Sequence, residues 1–392
     1  MEHRLYDDSP YLEEWQTEVT GIAEKGGKYH VTLAATAFYP EGGGQLADRG
    51  TIDGIPVEHV YEESGAIYHV LPAAPQRRGV ACRLDFGRRF DHMQQHTGQH
   101  LLSHVFEELC GAGTSSFHMG EEDVSIEISL PEVPPQAIKA VEGRANGLIY
   151  RDLRVRTHVV SPEEAARFPE VTPPPGAVAV RVVEIESVEF NACCGTHVSR
   201  LGEIGIVKVV RAERMGSTQT RIYFKCGNRA LRDYQQKHDV AATLSRQYKA
   251  AEGELVPRVE AQAAQLKAAR KEIEGLRMRL LDLEAAGLAK SATSALIHMS
   301  CDDRRFDEMS MLGKHLLKHG DFILLLVSRP DRRLIFACGK GFSLDCGRLF
   351  KEHLAAFNGK GGGSPNWATA AFAEMGDLGR FEEFLLRQVR GK

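Results

Sequence analysis

The chain has 392 residues, with 49 Lys and Arg against 53 Asp and Glu, a formal net charge of −4 and 43% hydrophobic residues. This balance excludes a chain that is basic as a whole, so any contact with nucleic acid must be local. The N-terminus lacks the basic-then-apolar pattern of a signal peptide, and no run of about 18 apolar residues could span a membrane. We therefore expect a cytoplasmic protein of two or three domains, and its eight scattered cysteines predict reduced thiols.

Residues 1–85 contain short runs of alternating apolar and polar side chains, separated by Gly, Pro and Asp. This pattern predicts strands, and their succession predicts a small β-barrel. Three glycines, Gly42, Gly43 and Gly44, lie among these strands and are followed directly by Gln45. Their uncovered N–H groups would let a ligand or another backbone approach closely, and a flexible hairpin tip is the alternative.

A helix follows that carries four histidines at a spacing of four residues: His92, His96, His100 and His104. Two histidines four apart stand one above the other on a helix, so both rings can reach one metal ion. Spacing alone leaves the three neighbouring pairs open. The apolar residues after His100 predict that the helix anchors its C-terminal half in a core and ends near Cys110 and Gly111, which favours the pair His96 and His100.

A second candidate half-site lies almost a hundred residues later, where Cys193 and His197 are separated by three residues. The glycine between them predicts a turn rather than a helix. Together with His96 and His100 the two residues offer three nitrogens and one sulfur, a set that suits zinc. Cys194 is either a bystander or a competing ligand.

Residues 86–226, which contain both half-sites, show a mixed α+β pattern. Ser161 is the predicted N-cap of a helix that has Pro162 at its first position. The other predicted elements are strands at 124–128, 155–160, 178–185 and 205–210, and a helix at 135–150. The metal cluster is therefore expected between secondary-structure elements, where functional sites usually lie.

Residues 227–290 are predicted to be helical, with one interruption at Pro257. After this proline, Val259, Leu266, Ile273 and Leu280 recur every seven residues. Roughly three heptads indicate either a helical hairpin, in which residues 228–256 pair with residues 258–286, or a coiled coil between two copies of the chain.

Residues 291–392 are predicted to form a separate α/β domain, with strands at 321–327 and 333–337 and helices around 303–319, 342–357 and 378–390. A glycine-rich loop is predicted at 359–364, with Lys360 followed by Gly361, Gly362 and Gly363. Such a loop could cradle a phosphate, but its spacing matches neither common nucleotide-binding motif.

Three of these stretches together resemble the editing domain of alanyl-tRNA synthetases and, more closely, its freestanding relatives, the alanyl-tRNA editing proteins. They are residues 38–45, the His96-x3-His100 helix, and Cys193-x-Gly195-Thr196-His197 followed by residues 202–205. The resemblance covers nearly the whole chain, with Cys194 standing where the family usually has glycine. It implies an α+β fold: an N-terminal small β-barrel, an α+β zinc-containing editing core, a helical hairpin or coiled-coil linker, and a C-terminal α/β domain similar to the DHH-associated domain.

The resemblance also implies a function. No amino-acid activation domain is expected, so the chain should not charge tRNA. It should instead act as a zinc-dependent aminoacyl-tRNA deacylase on tRNA(Ala) mischarged with serine or glycine. It implies one Zn²⁺ per chain, held by His96, His100, Cys193 and His197, and roles for Gln45 and Thr36 at the substrate. The implied tRNA-binding residues are Gly42, Gly43, Gly44, Arg88, Arg221, Lys360, Gly361, Gly362 and Gly363.

Other readings of the same motifs remain open. The zinc could only stabilise a non-catalytic tRNA-binding protein, or the enzyme could edit a different mischarged tRNA. Further basic residues that could contact tRNA are Arg89, Arg211, Arg214, Lys351, Arg387, Arg390 and Lys392. A homodimer could form through the helical linker or the C-terminal domain.

Overall fold

The computed structural model describes residues 3–169 and 171–390, so Lys392, one of the basic candidates, lies outside the described residues. The chain forms two compact units, Met1–Leu244 and Ser245–Lys392. Among the helices that are described, none is long and apolar enough to cross a membrane.

The first unit begins with a strand-rich region, as its alternating pattern predicted. Its elements are β1 (His3–Arg4), α1 (Leu5–Asp8), β2 (Glu14–Lys25), β3 (Lys28–Leu33), β4 (Ala35–Thr36), β5 (Gly50–Ile52), β6 (Ile55–Val57), β7 (His59–Glu63), β8 (Ala66–Leu71) and β9 (Gly79–Leu84). Seven strands form one antiparallel sheet in the order β6-β5-β9-β2-β3-β8-β7, and β6 contacts β8 across the gap. The sheet is therefore nearly closed, around a core that includes Val31, Ile52, Val60 and Leu71.

The mixed α+β region comes next, and it contains two further sheets. Its elements are α2 (Phe86–Cys110), β10 (Thr114–Met119), β11 (Val124–Ile128), α3 (Pro135–Tyr150), β12 (Val155–Val160), α4 (Pro162–Ala165), β13 (Val180–Ile185), β14 (Glu189–Ala192), a short 3₁₀ helix (Leu201–Ile204), β15 (Val207–Met215) and β16 (Gln219–Cys226). The strand orders are β10-β11-β16-β15 and β12-β13-β14. Sequence reasoning did not identify β10, β14 or β16.

Helix α2 ends where the sequence predicted and buries the apolar residues that the sequence predicted. Asp85 caps its N-terminus by accepting a hydrogen bond from the Arg88 N–H, and Gly111 ends it in the left-handed region with φ 64°. Leu101, Leu102, Val105 and Phe106 are fully buried in the core beneath the four-stranded sheet. This packing fixes the helix rotation that turns His96 and His100 toward the Cys193 turn.

The helical segment breaks earlier than predicted. Helix α5 (Gly227–Tyr248) ends before Lys249, which has φ 49°, and α6 (Leu255–Ser291) already contains Pro257 in its first turn. The first-turn N–H groups of a helix have no intrahelical partner, so proline is tolerated there and does not interrupt the helix. The prediction of an interruption at Pro257 is therefore wrong.

The second unit has a five-stranded sheet with helices on both faces. Its remaining elements are β17 (Leu296–Cys301), α7 (Phe306–His319), β18 (Ile323–Ser328), β19 (Arg333–Cys338), α8 (Cys346–His353), β20 (Lys360–Ser364), β21 (Trp367–Ala371) and α9 (Met375–Arg390). The strand order is β17-β18-β19-β21-β20. Leu324 and Leu326 pack toward α6 and α7, whereas Leu325 and Val327 pack toward α8 and α9. The run of apolar residues in β18 follows from burial on both faces.

The glycine-rich segment after Gly359 is a strand and not the predicted loop. Lys360–Ser364 forms β20 and pairs with β21 in antiparallel register. A Cβ atom on Gly361 would collide with the backbone oxygen of Thr369, and a Cβ on Gly363 would collide with that of Trp367. These two glycines therefore allow β20 and β21 to pair closely.

Candidate metal centre and adjoining cavity

Helix α2 and the turn after β14 bring four candidate ligands together. One ligand atom from each of His96, His100, Cys193 and His197 lies within 4.8 Å of the others, and these residues are the group among the described residues that could hold a metal ion. Cys193 Sγ lies 3.4 Å from both His96 Nε2 and His197 Nε2. The structure thus brings together the four residues that the sequence predicted, while Cys194 stays outside the group.

The two other histidines of α2 lie apart from this cluster. His92 is fully buried, and burial lowers its pKa to about 3, so its ring is neutral. His104 Nδ1 is 4.0 Å from a carboxylate oxygen of Glu189. The middle pair is therefore the one that faces the cysteine.

Each ring of the cluster has a partner on its Nδ1 atom. His96 Nδ1 is 2.8 Å from Gln45 Oε1, His100 Nδ1 is 3.1 Å from Glu189 Oε1, and His197 Nδ1 is 3.1 Å from Thr97 Oγ1. Amide and carboxylate oxygens only accept, so the Nδ1 atoms of His96 and His100 carry the hydrogens. Such outer contacts fix the tautomer and orientation of metal-binding histidines and leave Nε2 for the ion.

The turn that carries Cys193 is held by a glycine and an arginine. A Cβ atom on Gly195 would collide with the His96 ring, so only glycine fits between the two half-sites. Arg181 Nη1 donates to the carbonyl oxygens of Cys193 and Gly195, each at 2.8 Å. Sequence reasoning missed Arg181, Glu189 and Thr97. Thr97 could have been noticed, since it lies between the two histidines of the helix.

The electrostatics of the cluster favour a thiolate. Burial alone would raise the pKa of the Cys193 thiol, but His96, His197 and His100 hold it well below the usual value of 9.0. Burial lowers the pKa of His197 to about 3, which keeps that ring neutral. Burial also acts to lower the pKa of His100, but contacts with Cys193 and Glu189 outweigh it and raise that pKa to about 10, so His100 is the protonated ring beside the thiolate. A thiolate and neutral imidazoles are the forms that bind metal ions, so binding of an ion would release the His100 proton.

Gln45 contacts the cluster through the ring of His96. It is 1% exposed, its Oε1 atom also accepts from the Thr196 N–H at 3.1 Å, and its Nε2 atom donates to Thr196 Oγ1 at 2.9 Å. Both ends of the amide are therefore engaged in orienting His96 and the Cys193 turn. Direct contact between Gln45 and a substrate stays a prediction.

Thr36 is buried inside the barrel. His69 Nδ1 donates to the Val31 carbonyl at 2.9 Å, so His69 Nε2 accepts from the Thr36 hydroxyl at 2.8 Å. Thr36 Oγ1 in turn accepts from the Phe38 N–H at 3.1 Å. Burial lowers the pKa of His69 to about 4, which keeps it an acceptor at neutral pH. The predicted contact between Thr36 and a substrate hydroxyl would require this arrangement to change, and it stays a prediction.

The first glycine triplet forms a tight turn beside the cluster. Gly42 and Gln45 exchange two backbone hydrogen bonds of 2.9 and 3.1 Å, and Gly43 and Gly44 have φ of 57° and 82°. A Cβ on Gly44 would lie 2.7 Å from the ring of Phe117, which packs on His96 at 5.1 Å between ring centroids. Gly42 and Gly43 also line a cavity of about 460 Å³ whose wall includes Cys194.

The basic residues predicted to contact tRNA differ in their availability. Arg88 donates to both carboxylate oxygens of Glu121, at 2.7 and 3.0 Å, and Arg221 pairs with Glu127. Lys360 is exposed on strand β20. A role of Arg88 or Arg221 in tRNA binding would have to compete with these ion pairs, and it stays a prediction.

The segment around the Cys193 turn is similar to a known domain family. Residues 180–223, which include the Cys193 turn, match the model of the threonyl and alanyl tRNA synthetase second additional domain. This match associates the turn with a class of domain found in tRNA synthetases.

Individual relatives define the family more narrowly. Alanyl-tRNA editing protein AlaX-L of Pyrococcus horikoshii is 30% identical over 94% of this chain and 94% of its own length. Alanyl-tRNA editing protein Aarsd1 of Danio rerio is 34% identical over 59% of this chain and 57% of its own. The alanine–tRNA ligase of Methanoregula boonei is 27% identical over 96% of this chain, which corresponds to 42% of the ligase. The chain belongs to the family of alanyl-tRNA editing proteins.

Proposed function

We propose that the chain is a trans-editing hydrolase that removes serine, and glycine as a second substrate, from mischarged tRNA(Ala). The reaction is hydrolysis of the ester between the amino acid and the 3′ end of the tRNA. The observation that carries the proposal is the cluster of three histidines and one cysteine beside a cavity of about 460 Å³. Family membership supports the same conclusion, because the whole-chain relative is named as an alanyl-tRNA editing protein.

The ion that fits the cluster is zinc, at one per chain. Three imidazole nitrogens and a thiolate are common zinc donors, and the Nδ1 partners of the rings leave Nε2 atoms for an ion. His96, His100, Cys193 and His197 would hold it. Bound zinc supplies a Lewis acid that polarises an ester carbonyl or lowers the pKa of water.

The chain's own residues would position the reacting groups. Gln45, Glu189 and Thr97 hold the three rings, and Arg181 holds the turn that carries Cys193. The cavity beside Cys194 would receive the end of the tRNA, with the Gly42–Gly44 turn on one wall. Polar groups that are fixed before the substrate arrives need no reorganisation during the reaction.

A separate editing protein is useful because serine is hard to exclude from the pocket that activates alanine. An activation pocket built for alanine cannot strongly reject a side chain that only adds a hydroxyl. The usual limit is a preference of about a hundredfold for the correct amino acid. A second site that binds the hydroxyl does better, because alanine would leave its buried polar groups unpaired. We therefore expect the protein to spare alanyl-tRNA(Ala).

We extend the proposal to the arrangement of the chain. The layout is a β-barrel at 1–85, the editing core at 86–226, a helical linker at 227–290 and a tRNA-binding domain at 291–392. Residues 1–244 carry 25 Lys and Arg against 34 Asp and Glu, whereas residues 245–392 carry 24 against 19. The excess of basic residues in the second unit supports contact between this unit and the tRNA backbone.

The proposal also includes a homodimer that forms through helix α6. Its heptad residues are exposed: Val259 by 43%, Leu266 by 54%, Ile273 by 52% and Leu280 by 66%. An apolar stripe at this spacing is typical of helices that pair with another helix. Light scattering on the wild type and on a Leu266→Gln, Leu280→Gln variant tests it, and a monomeric wild type would contradict it.

The first experiment is release of labelled serine from seryl-tRNA(Ala), with alanyl-tRNA(Ala) as control and protein of known zinc content. Loss of serine with alanine spared supports the proposal. Zinc and tRNA binding without release would instead indicate the non-catalytic tRNA-binding protein. Release of another amino acid from its mischarged tRNA, with serine spared, would indicate a different editing substrate.

A further inference from the structure

The cavity beside the metal cluster is lined by charged side chains, and one of them, Asp7, has no role in the reaction proposed above. It measures about 460 Å³, and its lining includes Asp7, Arg181, Tyr39 and Cys194. Ligand pockets of about 300 to 1,000 Å³ are usual, so the end of a nucleic-acid chain with its attached amino acid is an appropriate size. Cys194 directly follows Cys193, so the wall of the cavity includes part of the turn that carries one candidate metal ligand.

Arg181 forms a buried part of the cavity wall, and one of its N–H donors has no hydrogen-bond partner among the described residues. Its side chain is 9% exposed, and its Nη1 atom is used by the carbonyl oxygens of Cys193 and Gly195. Its Nε atom is buried without a hydrogen-bond partner among the described residues. Buried donors without a partner are uncommon. This donor requires an acceptor such as an ester oxygen, so a cationic group in the same cavity must bind to a carboxylate instead.

The carboxylate of Asp7 faces the Nε atom of Arg181. Asp7 belongs to the short helix α1, and its Oδ1 atom is 3.5 Å from Arg181 Nε, an ion pair that does not satisfy the Nε hydrogen. The side chain of Asp7 is 32% exposed and lines the cavity. One guanidinium group therefore separates this carboxylate from the carbonyl of Cys193.

The other carboxylates of the cavity are placed differently. Glu62 is paired with Arg4 at 2.7 Å, and Glu41 is more than half exposed and lies 3.9 Å from His59 Nε2. Among these carboxylates, Asp7 is the one that contacts Arg181, which also binds the Cys193 turn.

The chemistry of the proposed substrate gives this carboxylate a role. An amino acid esterified to tRNA keeps its α-amino group, which is cationic when protonated and is attached to the carbon next to the ester carbonyl. Charge-assisted hydrogen bonds between ammonium and carboxylate groups are stronger than neutral ones. We propose that the Asp7 carboxylate binds the α-ammonium group of the ester-linked amino acid in this cavity and thereby orients the ester beside the metal cluster.

This inference rests on the proposed function and extends it. All aminoacyl esters carry the same α-amino group, so Asp7 orients the substrate without distinguishing serine from alanine. The Arg181 guanidinium keeps Asp7 in place while it holds the Cys193 turn, so one side chain would connect the substrate site with the metal cluster.

The experiment compares two esters and three proteins. The esters are seryl-tRNA(Ala) and its α-hydroxy analogue, in which a hydroxyl replaces the amino group. The proteins are the wild type, Asp7→Asn, and the matched control Asp8→Asn, which alters the next residue, an exposed partner of His3. Single-turnover rates are measured together with the zinc content of each protein.

We expect the wild type to cleave the seryl ester about tenfold to a hundredfold faster than the hydroxy ester, the range of a charged hydrogen bond. Asp7→Asn should slow cleavage of the seryl ester by a similar factor, remove the preference and keep its zinc. Asp8→Asn should resemble the wild type.

Two results would overturn the inference alone. One is a wild type that cleaves both esters at equal rates, which needs no variant and holds even if Asp7→Asn fails to fold. The other is an Asp7→Asn protein that is slower but keeps the full preference, which would make Asp7 a support of the turn only. A wild type that cleaves neither ester would refute the proposed function itself.

Discussion

The chain contains two glycine triplets that look alike in sequence and differ in structure. Gly42–Gly44 forms a tight turn in which Gly43 and Gly44 adopt positive φ, and it lines the cavity beside the metal cluster. Gly361–Gly363 lies in strand β20, where side chains on Gly361 and Gly363 would collide with the backbone of β21. The first triplet needs glycine mainly for its backbone dihedral angles, and the second for its close packing.

This difference shows that glycine content alone does not identify a ligand-binding loop. Both triplets were predicted to contact tRNA, and in each triplet two glycines have a structural reason of their own: Gly43 and Gly44 in the first, and Gly361 and Gly363 in the second. Within the first unit, the Gly42–Gly44 turn lies next to the cluster of candidate metal ligands. The two regions can therefore be separated by experiment, because damage to the first should reduce cleavage and damage to the second should reduce stability or tRNA affinity.

The largest effect is expected at the metal cluster beside the first triplet. Replacing Cys193 with alanine removes the only sulfur donor of the cluster, so the protein should lose its zinc and at least about a hundredfold in deacylation rate. Metal analysis and single-turnover deacylation measure both effects. Cys194→Ala is the matched control and should do little, and the reverse pattern would show that Cys194 is the sulfur ligand.

A smaller effect is expected when a ring of the cluster loses its outer partner. Glu189→Gln keeps an acceptor for His100 Nδ1 but removes the charge, and zinc affinity should fall by about tenfold to a hundredfold. Competition with a chelator measures the affinity. Glu186→Gln, on the adjoining turn and paired with Arg156, is the control. Unchanged affinity in Glu189→Gln would show that the carboxylate does not act on the metal site.

The two triplets can be compared directly by alanine substitution. Gly44→Ala forces a side chain into φ 82° against Phe117, and Gly363→Ala forces one against the backbone of β21; each should cost about 2 kcal/mol in the free energy of unfolding. Denaturant unfolding gives the stabilities, and deacylation at saturating zinc gives the activity. Only Gly44→Ala should also slow cleavage. A stable Gly363→Ala protein with weaker tRNA binding would instead assign the second triplet to RNA contact.

The smallest effect is expected from a single basic residue of the second unit. If Lys360 contacts a phosphate, Lys360→Ala should weaken tRNA binding a few-fold and reduce the slope of log affinity against log salt by about 0.7 to 0.9. Binding isotherms at several salt concentrations test this. Arg348→Ala, whose charge is already paired with Glu352 at 2.8 Å, is the control. An unchanged slope for Lys360→Ala would remove this residue from the tRNA-binding surface.

Local patterns in the sequence predicted much of the fold. Helix α2 was recognised because its apolar spacing and the terminal Gly111 are properties of neighbouring residues. Strands β10 and β14 were missed, since their polar or mixed residues gave no clear alternation, whereas β16 was missed although buried and partly exposed residues alternate along its whole length. The interruption at Pro257 was misplaced because proline stops a helix only after its first turn, and the sequence does not state where that turn begins.

The sequence by itself supplied the candidate metal ligands and favoured His96, His100, Cys193 and His197, whereas the tertiary structure brought these four together and left His92, His104 and Cys194 outside the group. Two histidines four positions apart on a helix, and a cysteine four positions before a histidine, are short-range features that can be recognised without knowing the rest of the structure. The tertiary structure decided how these ligands are held, because Gln45, Glu189 and Arg181 meet them through hydrogen bonds that join distant segments. It also decided that Lys360–Ser364 is a strand, since only the neighbouring β21 shows why its glycines are needed.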